Sequence, residues 1–117
     1  MRHYSPIDHL LINLDQALRT VAGKPAVTER ANPADAYAES ELSAAQKQRT
    51  ARLMRVNHAG EVAAQALYQG QALTTHTPEV REKMQRAVQE ENDHLAWCET
   101  RIKELDSHTS VLNPAWY

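Results

Sequence analysis

The sequence contains no phenylalanine, only three glycines and a single cysteine among its 117 residues. Hairpin turns between strands rely on residues with positive φ, so the shortage of glycine argues against a sheet built of hairpins. One cysteine, Cys98, excludes an internal disulfide and is compatible with a reducing compartment. Ala, Gln, Glu, Leu and Arg dominate instead, and they lose little side-chain freedom in a helix. The composition therefore predicts an all-α fold.

Strong charge and long apolar runs are also missing. The 15 acidic and 13 basic residues give a net charge of −2 with no basic block, so nothing indicates a nucleic-acid partner. No uninterrupted apolar run approaches the ~18–20 residues that a membrane-spanning helix needs. Residues 1–10 lack the apolar stretch of a secretory signal. We expect one small domain, soluble or peripheral, on the cytoplasmic side of the cell membrane.

A short amphipathic helix is predicted near the N-terminus. Ser5 can cap it, Pro6 suits its first position, and Gly23 closes it. Apolar residues recur along it at helical spacing, at Ile7, Leu10, Leu11, Leu14, Leu18 and Val21. The pattern leaves open whether this face packs on the rest of the domain or rests on a membrane surface. Residues 24–42 show no sustained period, so residues 1–42 are predicted to form an N-terminal helix and a linker.

Two long helices are predicted after the linker. Ser43 fits a capping box with the glutamine three residues later, and the helix that it starts runs to about Thr74. Thr77, followed by proline, marks the start of the next helix, which runs to about Leu105. The turn at residues 75–77 is so short that the two helices have to pack antiparallel.

The second long helix carries an acidic residue on its apolar seam. Residues three or four apart form the seam, namely Val80, Met84, Ala87, Glu91, Leu95, Cys98, Ile102 and Leu105. Glu90 and Asp93 lie on the polar side, and the Arg and Glu residues of 81–104 predict a solvated face. His94, three residues after Glu91, projects from the same face as that carboxylate. A carboxylate on a buried seam is costly unless it is paired or bound to a metal.

The first long helix repeats this anomaly at Glu61. Its stripe consists of Met54, Asn57, Glu61, Ala64 and Tyr68. Glu61 lies 15 residues before His76 in the turn, and Glu91 lies 15 residues after it. At a rise of ~1.5 Å per residue, both carboxylates are about 22 Å from the turn, and so at the same height in an antiparallel hairpin.

Glu61 opposite Glu91 and His94 is half of a ferritin-like di-iron constellation. Carboxylates can bridge two hard iron ions, and histidine adds a nitrogen ligand, although the same donors also suit Mn or Zn. A Glu-x-x-His pair is common in helices by chance. A structural alternative therefore stays open, in which the same three residues form a buried hydrogen-bonded cluster.

The remaining candidates have structural interpretations. We read His58 as a hydrogen-bonded structural residue rather than a ligand, and Gly60 as a sign of close helix packing beside the site. Cys98 is expected to behave as a small buried hydrophobe. Met54, Met84 and Tyr68 are predicted to be core residues. Solvent exposure is predicted for His3, His9, His76 and His108.

At these residues the sequence resembles a known family. The run at residues 53–64, with its Asn-His-Ala-Gly-Glu, resembles the first iron-binding helix of the 3-demethoxyubiquinol 3-hydroxylases, the Coq7 family of ubiquinone biosynthesis. Residues 90–94 resemble the second such helix, and residues 112–117 resemble the stretch between the two helical pairs of the family. The resemblance spans about residues 1–117.

The resemblance implies a ferritin-like four-helix bundle that holds two iron ions and acts as a monooxygenase. With O₂, such an enzyme hydroxylates the ring of a membrane-borne demethoxyubiquinol. By position, Glu61 would be a terminal ligand of one iron, Glu91 a bridge between both, and His94 a terminal nitrogen ligand. Catalysis would proceed through the metal that these three residues bind.

The resemblance also implies a second helical pair, which carries another Glu and another Glu-x-x-His. Residues 43–117 are thus expected to be the first pair of the bundle, in a truncated piece of the hydroxylase that is inactive alone. The alternative is a homodimer that assembles its di-iron site between subunits, as encapsulated ferritins do, and that oxidises or stores iron.

Overall fold

The computed structural model describes residues 3–25 and 30–117, and all regular elements within them are helical, as the composition predicts. Residues 1–2 and 26–29, which belong to the predicted N-terminal segment and linker, lie outside the described residues. The α-helices are α1 Pro6–Ala22, α2 Ala44–Thr74, α3 Pro78–Glu104 and α4 Asn113–Trp116, with a short 3₁₀ helix at Pro33–Ala36. The helix boundaries follow the prediction closely.

Local capping explains where the long helices begin. Ser43 Oγ accepts a hydrogen bond from the Gln46 backbone N–H at 3.2 Å, and the Ser43 N–H donates to Gln46 Oε1 at 2.9 Å. This reciprocal pair is the predicted capping box. Thr77 is the N-cap residue of α3 and Pro78 occupies its first turn, as predicted, but the Thr77 side chain makes no capping hydrogen bond. The fixed φ of proline starts this helix instead.

Amides as well as apolar side chains join α2 to α3. The buried apolar residues are Ala51, Val62, Val88, Leu95, Ile102 and Leu105. Between the helices, Gln65 Nε2 donates to the Val88 carbonyl at 3.1 Å and to Asn92 Oδ1 at 3.0 Å. Because these bonds lie one turn from Glu61 and from Glu91, they fix the hairpin register beside those carboxylates. The predicted core residues Met54, Met84 and Tyr68 are only half-buried.

The amphipathic helix α1 contacts the hairpin with its polar face. Thr20 is its buried residue, and Gln69 Nε2 donates to Gln16 Oε1 at 3.4 Å. The apolar residues are more than half exposed at Ile7, Leu10, Leu11, Leu14 and Leu18. Packing of this face on the domain, one of the two alternatives that the pattern left open, is therefore absent from the described residues.

Two acidic residues of the predicted solvated face are buried. Asp93 is 0% exposed and Glu99 is 9% exposed, so the prediction is wrong at both positions. Glu99 lies against Gly23 at the end of α1, where a Cβ would come within 2.5 Å of its Oε1. At the other end of the described chain, α4 packs on α2 and α1, and its residue Asn113 is buried. This is the stretch that the resemblance places between two helical pairs.

The contrast between Gly23 and Gly70 gives a stability test. Gly23 has φ +69° and meets Glu99, whereas nothing lies within 4 Å of a Cβ at Gly70. We expect Gly23→Ala to lower the free energy of unfolding by about 1–2 kcal/mol. Gly70→Ala should raise it by about 0.5–1 kcal/mol, because alanine favours an α-helix. Urea denaturation measures both, and a stabilised Gly23→Ala would contradict this account of the α1 terminus.

Candidate metal centre

The three predicted site residues converge between α2 and α3. Glu61, Glu91 and His94 each offer a ligand atom, and these atoms all lie within 4.8 Å of one another. His94 Nδ1 is 3.3 Å from Glu91 Oε2 and 3.9 Å from Glu61 Oε2. The two glutamates thus lie opposite each other, at the equal distance from the turn that their positions in the sequence predict.

The electrostatics of the cluster favour a cation. The side chain of Glu91 is 11% exposed, whereas those of Glu61 and His94 are 31% and 37% exposed. Burial, the hydrogen bond and charge of Glu61, and the charge of Glu90 together raise the pKa of Glu91 from 4.5 to about 8, and burial has the largest effect. A proton therefore compensates this carboxyl pair in the metal-free chain, and a bound cation can take the place of that proton.

The donor set fits a first-row transition metal. Two carboxylates offer four oxygen atoms and the imidazole offers a nitrogen, which are donors suited to iron and also to Mn or Zn. Because one side of the cluster is partly open, ligands from outside these three residues can approach it. The geometry is therefore that of a cluster that could hold a metal ion and that is open on one side.

Comparison with known proteins connects this cluster to a family. A family profile described as ubiquinone biosynthesis protein COQ7 matches residues 48–117, which include all three side chains. The chain belongs to the COQ7 family. This family has a ferritin-like helical fold, so the predicted fold class is confirmed.

Individual relatives carry a common name. The chain is 57% identical over 116 residues to the 3-demethoxyubiquinol 3-hydroxylase of Nitrosococcus oceani, covering 99% of this chain and 54% of that protein. It is 56% identical over 117 residues to the protein of that name from Acinetobacter baumannii, covering 100% and 55%. The chain spans about half the length of the curated relatives that it matches. No solved structure matches it.

Two neighbours of Glu61 differ from expectation. His58 is fully buried, but neither ring nitrogen has a hydrogen-bond partner among the described residues, so its predicted hydrogen-bonded role is not seen. Burial lowers the pKa of His58, against the opposing charge of Glu61. Nothing lies within 4 Å of a Cβ at Gly60, so close packing at this glycine is wrong within the described chain.

The predictions for Cys98 and for four of the histidines agree with the structure. Cys98 is half-buried, and burial raises the pKa of its thiol to about 11, as suits an inert hydrophobe. Exposure is confirmed at His3, His9, His76 and His108.

Sequence reasoning missed a contact beside His94. The buried Asp93 accepts hydrogen bonds from the backbone N–H and the Nε of Arg30, 63 positions earlier in the chain. Helical periodicity places Asp93 away from the apolar seam, but it could not show that the linker covers that side and buries the carboxylate. No local signal at Arg30 marks it as a partner.

The raised pKa of Glu91 predicts a pH-dependent stability. In the metal-free chain, the folded state keeps the Glu91 proton up to about pH 8, whereas the unfolded state loses it above about pH 4.5. The folded chain should therefore lose stability as the pH rises through this window.

Urea denaturation between pH 5 and pH 8 measures this dependence, and Glu91→Gln should flatten it. Glu82→Gln is the matched control, because Glu82 is exposed on the same helix and is not among the groups that raise the pKa of Glu91. An unchanged slope in Glu91→Gln would contradict the assignment.

Proposed function

We propose that this chain supplies half of the di-iron centre of a monooxygenase that hydroxylates the ring of a demethoxyubiquinol with O₂ in ubiquinone biosynthesis. The observation that carries the proposal is the convergence of Glu61, Glu91 and His94 in a member of the COQ7 family. The name shared by the relatives, 3-demethoxyubiquinol 3-hydroxylase, supports the substrate class.

The three side chains have distinct roles in this proposal. Glu91 is the most buried and lies within reach of the other two residues, so its carboxylate suits a bridging position. Glu61 and His94 would be terminal ligands, one from each helix. Iron held there would supply activation of O₂ for insertion of one oxygen atom into the quinol ring, and two electrons and two protons from an external reductant would convert the second atom to water. The residues themselves fix the ion and neutralise its charge.

A di-iron site of this type needs more ligands than these three. Ferritin-like carboxylate centres use a Glu from each of two helices and a Glu-x-x-His from each of the other two. We propose that further helices supply the missing ligands, and the greater length of the relatives supports this source. A second copy of the chain is the other source, and it corresponds to the iron-oxidising or storage alternative.

Metal content and hydroxylation of the full-length protein test the proposal together. Glu61→Gln and Glu91→Ala should each remove most of the bound iron, because each withdraws a charged ligand. Glu90→Gln should retain it. A full-length protein that binds iron but does not restore hydroxylation in a quinone-deficient host would overturn the substrate class. A 117-residue chain that binds iron as a dimer would favour the storage alternative.

Peripheral attachment to the cytoplasmic face of the cell membrane is part of this proposal, since the substrate class is lipid-borne. Among the described residues, none of the helices combines the length and the apolar character needed to cross a membrane. The exposed apolar face of α1 instead suits insertion at the bilayer surface, while its polar face contacts the hairpin. Its charges, Asp8, Asp15 and Arg19, give little attraction to anionic lipid, so apolar burial would drive binding.

Vesicle binding tests this role of α1. Leu10→Asn and Leu14→Asn should each weaken binding of the full-length protein to neutral phosphatidylcholine vesicles by roughly tenfold, because each removes a leucine from the bilayer. Both residues are exposed, so the fold should tolerate the changes. Asp15→Asn is the control on the same helix and should bind normally. Equal binding by all variants would exclude α1 as the attachment site.

A further inference from the structure

Behind His94, a second layer of side chains joins the linker to α3. We infer that Arg30, Asp93 and Trp97 are positioning residues that hold the His94 imidazole toward Glu61 and Glu91. This inference rests on the proposed metal centre, and it adds residues that do not themselves offer a ligand atom to that centre.

The first contact of this layer is between Arg30 and Asp93. Asp93 is fully buried, and its Oδ2 accepts from the Arg30 backbone N–H at 3.2 Å and from Nε at 3.4 Å. The Arg30 side chain is 54% exposed, so it covers the carboxylate from the solvent side. Because burial of a carboxylate is costly without a charged or hydrogen-bonding partner, this contact favours docking of the linker on α3.

The second contact passes from Arg30 to the indole of Trp97. The Arg30 guanidinium carbon lies 5.3 Å from the centre of the Trp97 ring, within the range of a cation–π interaction. Trp97 follows His94 by three positions, so the two side chains are neighbours on the helix surface. Their ring centres are 5.6 Å apart with an interplanar angle of 48°.

These contacts limit the orientations of the imidazole. On one side, Nδ1 of His94 faces the carboxylates of Glu91 and Glu61. On another side, the Trp97 ring forms a wall that Arg30 holds in place. A histidine whose rotation is restricted before binding loses less freedom when it ligates a metal, so the layer should raise metal affinity.

The coupling must also operate in the reverse direction. If docking of Arg30 favours metal binding, metal binding favours docking of Arg30 by the same factor. The Arg30 backbone N–H, which donates to Asp93, should therefore exchange with solvent more slowly when metal is bound. Hydrogen exchange at this N–H can be measured on the wild-type protein and does not depend on enzymatic activity.

Titration of the full-length protein with Co²⁺ tests the inference. Arg30→Gln should weaken Co²⁺ binding by about tenfold and shift the ligand-field absorption band, because the imidazole is held less firmly. Trp97→Leu should do the same, and Trp97→Phe should restore most of the affinity by replacing the ring. Arg30→Gln keeps the backbone N–H that donates to Asp93, so the variant should still fold, and Trp97→Leu tests the layer without removing either bond to Asp93.

Arg101→Gln is the matched control. Arg101 also joins the linker to α3, with Nη1 2.5 Å from Glu39 Oε2, but among the described residues it is Arg30 and not Arg101 that makes a cation–π contact with Trp97. This variant should bind Co²⁺ like the wild type. An equal loss of affinity in Arg101→Gln would show that general docking of the linker matters, and would overturn the specific role of Arg30 and Trp97.

The outcomes distinguish failure of the proposed metal centre from failure of the positioning role of Arg30 and Trp97. Wild-type protein that binds no Co²⁺ would overturn the proposed metal centre, and this inference with it. Wild-type protein that binds Co²⁺ no more tightly than Arg30→Gln and Trp97→Leu would overturn the inference alone. Unchanged exchange of the Arg30 N–H on Co²⁺ addition would also count against it.

Discussion

Two carboxyl groups, those of Glu61 and Glu91, face each other between antiparallel helices, and the rest of the structure makes this unfavourable placement possible. Burial and mutual repulsion hold one proton in the pair up to about pH 8. The short turn sets the two glutamates at one height, and the hydrogen bonds donated by the side-chain amide of Gln65 hold that register. Because the two carboxylates are fixed opposite each other and have no lysine or arginine partner of their own among the described residues, their position suits a bound cation.

The elements that depend on local chemistry could be predicted from the sequence. Caps and prolines fixed the ends of the helices, and the residue count from the turn fixed the meeting of Glu61 with Glu91. That count works because an α-helix has a constant rise and the turn contributes only three residues. His94 then follows from its spacing, since residues three apart on a helix lie side by side.

Contacts between distant segments could not be predicted in this way. The pattern of α1 shows which of its faces is apolar, but not what covers that face, and the structure leaves it exposed. Periodicity places Asp93 and Glu99 away from the apolar seam, yet the linker and the end of α1 cover them. Burial of a residue depends on every segment that packs over it, and a period along one helix contains only part of that information.

The hairpin geometry also restricts how chain length can vary during evolution. One extra residue in α2 between Glu61 and the turn would rotate that glutamate by about 100° and move it by ~1.5 Å, away from Glu91. Insertions in the turn at residues 75–77 leave both arms in register. Between the two glutamates and the turn, a tolerated insertion has to be of about seven residues, two helical turns, and has to occur in α2 and α3 together. In this part of the hairpin, length variation among homologous chains should therefore concentrate in the turn, and the two helices should lengthen only as a pair.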